Sequence, residues 1–400
     1  MRTVVILNTN ITHEGENMRK GYKRHRFVYA LFRLPLYLFF KIRIRFKAEK
    51  APKINGPYLV LSNHNNNLDP VFISASFKRF MYFVTSEHVM RCGLASKLLF
   101  YFFNPITKNK AMTDMHCTRE ILDTLSMGHP VCIFAEGNRS YNGVTCPIHP
   151  ATASLVKHAG VPLVTYIFSG GYLTSPRWSL KMRRGKLSGH VAGVYGADEL
   201  KAMSKARINT VIERDLYEDA YANQEREPIA YKGKKLAERL ECALCICPAC
   251  NRIGSLKSEN DRFFCTCGFE VRYDRFGRFT GDNVPFADVL AWDRWQNGVI
   301  AELCGGNKKD ELFFDENQRL FCIDSQHREH YVENGRLSLY RDRLKLGSFE
   351  APLSTIGEMA VFGKDNVVFS AGGLYYLIKS PYLRCGRRYV TAYENLKAMR

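Results

Sequence analysis

YLVLSNHNNNLDPVF, residues 58–72, runs from an apolar segment straight into a polar turn. Tyr58 to Leu61 form the short continuous apolar run of a buried strand. His64 stands at the mouth of that strand, five positions before Asp69, with three asparagines between them and Pro70 behind. Outward from this point, strands and helices alternate. KIRIRF (41–46) alternates with period two and reads as a strand, and INGP (54–57) turns the chain into the next one. Helical segments are predicted over 86–103, 118–126, 151–159 and 207–223, with strands at VCIFAEG (131–137) and over 161–168. Such alternation predicts an α/β domain, a sheet flanked by helices, with active groups on loops at strand ends.

A histidine one helical turn from an acid can lend it one ring proton and keep the other nitrogen as a base. In hydrolases such a pair deprotonates the enzyme's own serine, but this sequence has no GxSxG nucleophile elbow. The proton would then come from a substrate hydroxyl, giving direct group transfer. Alone, such a pair is more often a structural hydrogen bond. A second strand-end loop, AEGNRS (135–140), carries Glu136, Gly137 and Arg139. It reads either as a surface ion pair of little consequence or as a phosphate fork with a positioning carboxylate. NPITKNK (104–110) adds Lys108 and Lys110 as further phosphate partners.

Taken together, these segments resemble the 1-acylglycerol-3-phosphate acyltransferases of the glycerolipid acyltransferase family. SNHNNNLD is similar to that family's NHxxxxD block, NPITK to its second block, AEGNRS to EGTRS, and GVPLVTYIF (160–168) to the fourth, a strand containing proline. Lys108 stands where the family has arginine, and Asn138 where it has threonine. The resemblance spans roughly residues 25–230 and implies a mixed sheet flanked by helices. It also implies catalytic His64 and Asp69, with a substrate site built from Asn63, Lys108, Lys110, Glu136, Gly137, Arg139 and Pro162. On this reading His64 deprotonates the free hydroxyl of a lysophospholipid acceptor, which attacks an acyl thioester carried by acyl-carrier protein or CoA. Arg139 and Lys108 hold the acceptor phosphate, with Glu136 and Gly137 near the glycerol.

Six of the thirteen cysteines fall between Cys242 and Cys267, which is metal spacing. CPAC (247–250) and CTCG (265–268) flank the hairpin-like LKSENDRFF, so Cys247, Cys250, Cys265 and Cys267 form a candidate zinc ribbon. Four thiolates leave no open coordination position, so the zinc would be structural. Cys242 and Cys245 make a competing CxxC upstream. The remaining seven are scattered, as in reduced cytosolic proteins.

The formal charge of +19 is uneven: residues 1–50 hold twelve Lys or Arg against three Asp or Glu. Such a block meets phosphates of some kind. The opening residues have only a four-residue apolar patch, too short for a secretory signal, and no segment reaches the ~20 apolar residues of a spanning helix. FVYALFRLPLYLFF (27–40), interrupted by Arg33 and Pro35, reads as a helix lying in a bilayer interface or as one covering the catalytic domain. The expected location is therefore the cytoplasmic face of a membrane, held peripherally. A nucleic-acid-binding zinc protein is the rival from another class. Against it, residues 241–282 balance six basic with six acidic side chains, so no nucleic acid is expected. Acyltransferases of glycerol-3-phosphate or of another lysophospholipid share the same blocks and stay open.

Four units follow: a basic interfacial region (1–40), an acyltransferase domain (41–235), the ribbon (236–282), and a small mainly-β domain with a C-terminal helix (283–400). That last unit loosely suggests a pleckstrin-homology type of module.

Overall fold

The computed structural model describes residues 21–91, 93–108, 114–306, 311–324 and 326–400. Lys110 and the first twenty residues lie outside them. The chain opens with helix α1 (Tyr22–Arg43) and strands β1 (Phe46–Ala48) and β2 (Leu59–Ser62). Then come α2 (Asp69–Ser76), β3 (Tyr82–Ser86), α3 (Leu94–Phe103), β4 (Ile106–Lys108), α4 (Met115–Ser126), β5 (Val131–Phe134) and α5 (Ala151–Ala159). After β6 (Leu163–Ser169) follow the short α6 (Gly171–Thr174), β7 (Leu187–Tyr195), α7 (Ala197–Ala202), α8 (Lys205–Leu216) and α9 (Ala220–Arg226).

The seven strands form one mixed sheet in the order β1-β7-β6-β2-β5-β3-β4, between helices. β2 lies in the middle, parallel to β5 and β6, with Ser62 opposite both Phe134 and Tyr166. All four β2 residues are buried, as a strand covered on both faces requires. Because β2, β5, β3 and β4 run the same way, their C-terminal ends and the loops leaving them share one edge of the sheet.

Several local expectations are corrected. KIRIRF is not a strand: α1 continues to Arg43, and only Phe46–Ala48 is extended. Its alternation was fortuitous, since a formed helix propagates one bond per added residue and Ile42 stays exposed while Ile44 is buried. The helix expected over 86–103 is the end of β3, a single 3₁₀ turn (Glu87–Arg91) and then α3, with Gly93 turning at φ 62°. The helix expected over 207–223 breaks in two, because Asp219 caps α9 by accepting from the Tyr221 and Ala222 amides.

The cysteine segment folds as a four-stranded antiparallel sheet of β8 (Leu256–Glu259), β9 (Arg262–Cys265), β10 (Glu270–Tyr273) and β11 (Phe279–Thr280). A helix that the sequence reading did not identify, α10 (Val289–Cys304), follows; buried Asp293 and Gln296 interrupt its apolar pattern. The chain ends in seven antiparallel strands, β12 (Glu311–Ile323), β13 (Glu329–Tyr340), β14 (Arg343–Leu346), β15 (Phe349–Pro352), β16 (Ile356–Phe362), β17 (Asn366–Ala371) and β18 (Leu374–Lys379). Helix α11 (Arg387–Ala398) closes this sheet, burying Tyr389, Tyr393 and Leu396 in its core.

α1 has two apolar faces. His25, Val28, Tyr29 and Phe40 are buried against the domain, while Phe27, Leu31, Phe32, Leu34, Phe39 and Ile42 are exposed. Leu94 and Leu98 of the neighbouring α3 are exposed as well, and Arg24 ties the two helices through the Tyr101 carbonyl. Among the described residues no helix is long and apolar enough to cross a membrane.

Candidate active site and cysteine centre

The loop leaving β2 brings His64 to the shared edge, with its side chain one-fifth exposed. Its Nδ1 lies 2.8 Å from Asp69 Oδ2. Asp69 is buried at the first turn of α2, where the helix N-terminus favours negative charge. The same Oδ2 accepts from the Asn65 and Asn66 amides at 2.7 and 2.8 Å, so the loop is wound around the carboxylate. Phe134, the last residue of β5, stacks on the imidazole at 4.5 Å. Charge, hydrogen bond and ring contact together fix the imidazole's orientation, and a proton on Nδ1 leaves Nε2 as the basic nitrogen.

The loop after β5 is stitched to this one. Ala135 N–H donates to the Ser62 carbonyl, Ser140 N–H to the His64 carbonyl, and Glu136 Oε1 accepts the His64 N–H. The other Glu136 oxygen accepts the Cys146 N–H. The buried Glu136 carboxylate is thus engaged by the fold's own amides, where a substrate-facing side chain was expected. Burial pushes its pKa up to about 8, against the opposing pull of the two amides. The Gly137 N–H is likewise committed, to the Phe134 carbonyl, and the residue supplies the turn at φ 63°. Two further site expectations are corrected. Asn63 is buried and forms a double hydrogen bond with the Phe168 backbone, donating to its carbonyl and accepting from its N–H. Pro162 precedes β6 at the opposite end of the sheet, where its carbonyl accepts from Leu59 N–H.

Arg139 remains. Among the described residues its guanidinium has no hydrogen-bond or ion-pair partner, while burial and the nearby charge of Arg177 pull its pKa down to about 10. The opposite charge of Asp69 resists that shift, and the bond from Ser140 N–H to the His64 carbonyl holds the loop carrying Arg139 against the His64 loop. Lys108 is exposed at the C-terminal end of β4, on the same edge but three strand spacings from β2, roughly 14 Å. The structure thus pairs His64 with Asp69, puts Arg139 on the adjoining loop, sets Lys108 apart, and engages Asn63, Glu136 and the Gly137 N–H in hydrogen bonds within the fold.

Residues 43–169 match the family model described as Acyltransferase. The chain carries an acyltransferase-family segment. It holds β1 through β6, and with them His64, Asp69 and Arg139. Among solved structures, the chain is similar to the 1-acyl-sn-glycerophosphate (LPA) acyltransferase PlsC from Thermotoga maritima. The two share 17% sequence identity with a TM-score of 0.43, over 55% of this chain and 87% of that one.

Beyond the acyltransferase-family segment, Cys247, Cys250, Cys265 and Cys267 converge, their sulfurs all within 4.8 Å of one another. Cys247 and Cys267 are 3.7 Å apart, Cys250 and Cys265 3.8 Å. Four thiolates held tetrahedrally at ~2.3 Å from one ion would be ~3.8 Å apart, so the donor set fits zinc. Cys245 is directed elsewhere, toward Gln296, and Cys242 is buried in the adjoining core.

Proposed function

We propose that this chain transfers an acyl group from a thioester, on acyl-carrier protein or CoA, to the free hydroxyl of a 1-acylglycerol-3-phosphate-like acceptor. The observation that carries the reading is the 2.8 Å contact between His64 and Asp69 inside the segment that matches the Acyltransferase model, with Arg139 on the adjoining loop lacking a side-chain partner among the described residues. His64 Nε2 takes the hydroxyl proton as the acceptor oxygen attacks the thioester carbonyl. Asp69 stabilises the imidazolium that forms, and the thiol leaves with a proton returned from it. Arg139 receives the acceptor phosphate by charge-assisted hydrogen bonds. Zinc at the four cysteines staples the ribbon and takes no part in the chemistry.

Purified protein incubated with lysophosphatidic acid and labelled acyl-CoA or acyl-carrier protein is expected to yield phosphatidic acid. Arg139→Ala should raise the acceptor KM by tens of fold, since a hydrogen bond to a charged group is worth about 1.5–3 kcal/mol. No labelled product with either donor would refute the assignment.

The exposed apolar faces of α1 and α3 suit a bilayer interface, where acceptor and product both reside. This supports peripheral attachment to the cytoplasmic face of a membrane. The chain should float with anionic liposomes, and Leu31→Glu with Phe39→Glu should abolish flotation. Undiminished flotation of that variant would remove α1 as the anchor.

A further inference from the structure

The acyltransferase-family segment ends at residue 169, yet the loop bearing Arg139 is held by groups from beyond it. Arg177, in the connection between α6 and β7, is only 8% exposed. One guanidinium nitrogen donates to the Arg139 carbonyl and another to the Val361 carbonyl of β16, each at 3.3 Å, while the group lies 4.2 Å from the Tyr141 ring centre. Arg387 of α11 lies 4.5 Å from the same ring and is paired at 2.7 Å with Asp293 of α10. Asp293 also accepts from Asn142 at 2.7 Å. Lys364, in the β16–β17 turn, donates to the carbonyls of Trp178 and Ser179. The loop from Arg139 to Asn142 is thus gripped by the C-terminal sheet and its two helices.

We propose that Arg177 is a positioning residue for the acceptor phosphate, and that through it the C-terminal sheet forms part of the acceptor site. The inference rests on the reading of Arg139 as the phosphate ligand.

A purely structural role would be to tie three backbone and ring partners together. Two observations go beyond it. Among the described residues Arg177 has no carboxylate partner, and its buried Nε has no acceptor. Burying a cation without a counter-ion is expensive, and nearby Arg139 is also unpaired. The pKa of Arg139 is lowered by its burial and, after that, by the nearby charge of Arg177. A phosphate arriving at Arg139 relieves both charges at once. Arg177 therefore acts on the anion twice, by fixing the backbone that carries Arg139 and by adding to the positive field there.

Calorimetric titration of the full-length chain with sn-glycerol 3-phosphate reads this without turnover. Arg139→Ala should weaken Kd by tens of fold, below what the titration detects. Arg177→Lys keeps the charge but cannot span two carbonyls and stack on Tyr141, and should weaken Kd ~10-fold; Arg177→Gln should weaken it further. In turnover, Arg177→Lys should raise the acceptor KM by the same factor while kcat and the donor KM stay within about two-fold, a split that general loosening of the fold would not give. If Arg177→Lys does not fold, Asn142→Ala tests the same clamp and should weaken Kd at least ~3-fold. Binding lost in Arg139→Ala but within two-fold of normal in the folded clamp variant would overturn the role of Arg177 alone. No binding by the unaltered chain, or full binding by Arg139→Ala, would overturn the acceptor reading and this inference with it.

Discussion

His64→Ala is expected to reduce acyl transfer by ~10²–10⁴-fold, with little change in the KM of either substrate, because it removes the group proposed to take the hydroxyl proton. In barrier height this is roughly 3–5 kcal/mol. Asp69→Asn should be about as damaging. Oδ2 accepts the imidazole N–H and two backbone amides, and an amide side chain would satisfy them only by flipping the tautomer or losing an acceptor. Both variants should still bind glycerol 3-phosphate, since Arg139 is untouched. Near-full activity of His64→Ala, or a trapped acyl-enzyme in the unaltered protein, would show that the chemistry runs through another group.

The second large effect is expected at the cysteines. Freshly purified, unoxidised protein should contain one zinc per chain, and Cys250→Ser should lose it. Structural zinc contributes roughly 10–16 kcal/mol in zinc-finger peptides at neutral pH, so losing one of four ligands should cost several kcal/mol. Strands β9, β10 and β11 bury Phe263, Tyr273 and Phe279 in a cluster that includes Tyr172, Trp178, Tyr221 and Trp292, so the damage should spread to α6, α9 and the connection before β7. Cleavage by a protease near residues 247–267 after chelation is the simplest measure. A metal-free protein equally resistant to protease would show that the four thiols merely pack.

Much of this was legible in the sequence, for definable reasons. A strand buried on both faces has few alternatives, so β2 and β5 were readable from their apolar runs, and with them the edge that carries His64 and Arg139. The two cysteine pairs and the hairpin between them were readable from turn chemistry and spacing. Side-chain direction was not. Asn63 and Pro162 stand inside the matching blocks, yet Asn63 closes on the Phe168 backbone and Pro162 sits at the far end of the sheet. Glu136 resembled a substrate ligand because a carboxylate beside a glycine and an arginine is common in phosphate sites; only three-dimensional placement shows it holding the His64 and Cys146 amides. Arg177 lay beyond every block, and its partner Val361 contributes a main-chain oxygen, which no side-chain pattern encodes. Helix α10 lacks a legible apolar stripe because its single buried face carries Asp293 and Gln296 among the apolar residues.

Composition draws a seam near residue 235, but the core does not respect it. Tyr172, Leu173 and Trp178 belong to the same apolar cluster as Leu244, Phe263 and Trp292. The front of the chain is consequently not a portable cassette: spliced onto another protein, it would arrive with a fully buried indole stripped bare. Any transplant would have to carry the whole chain or rebuild that wall.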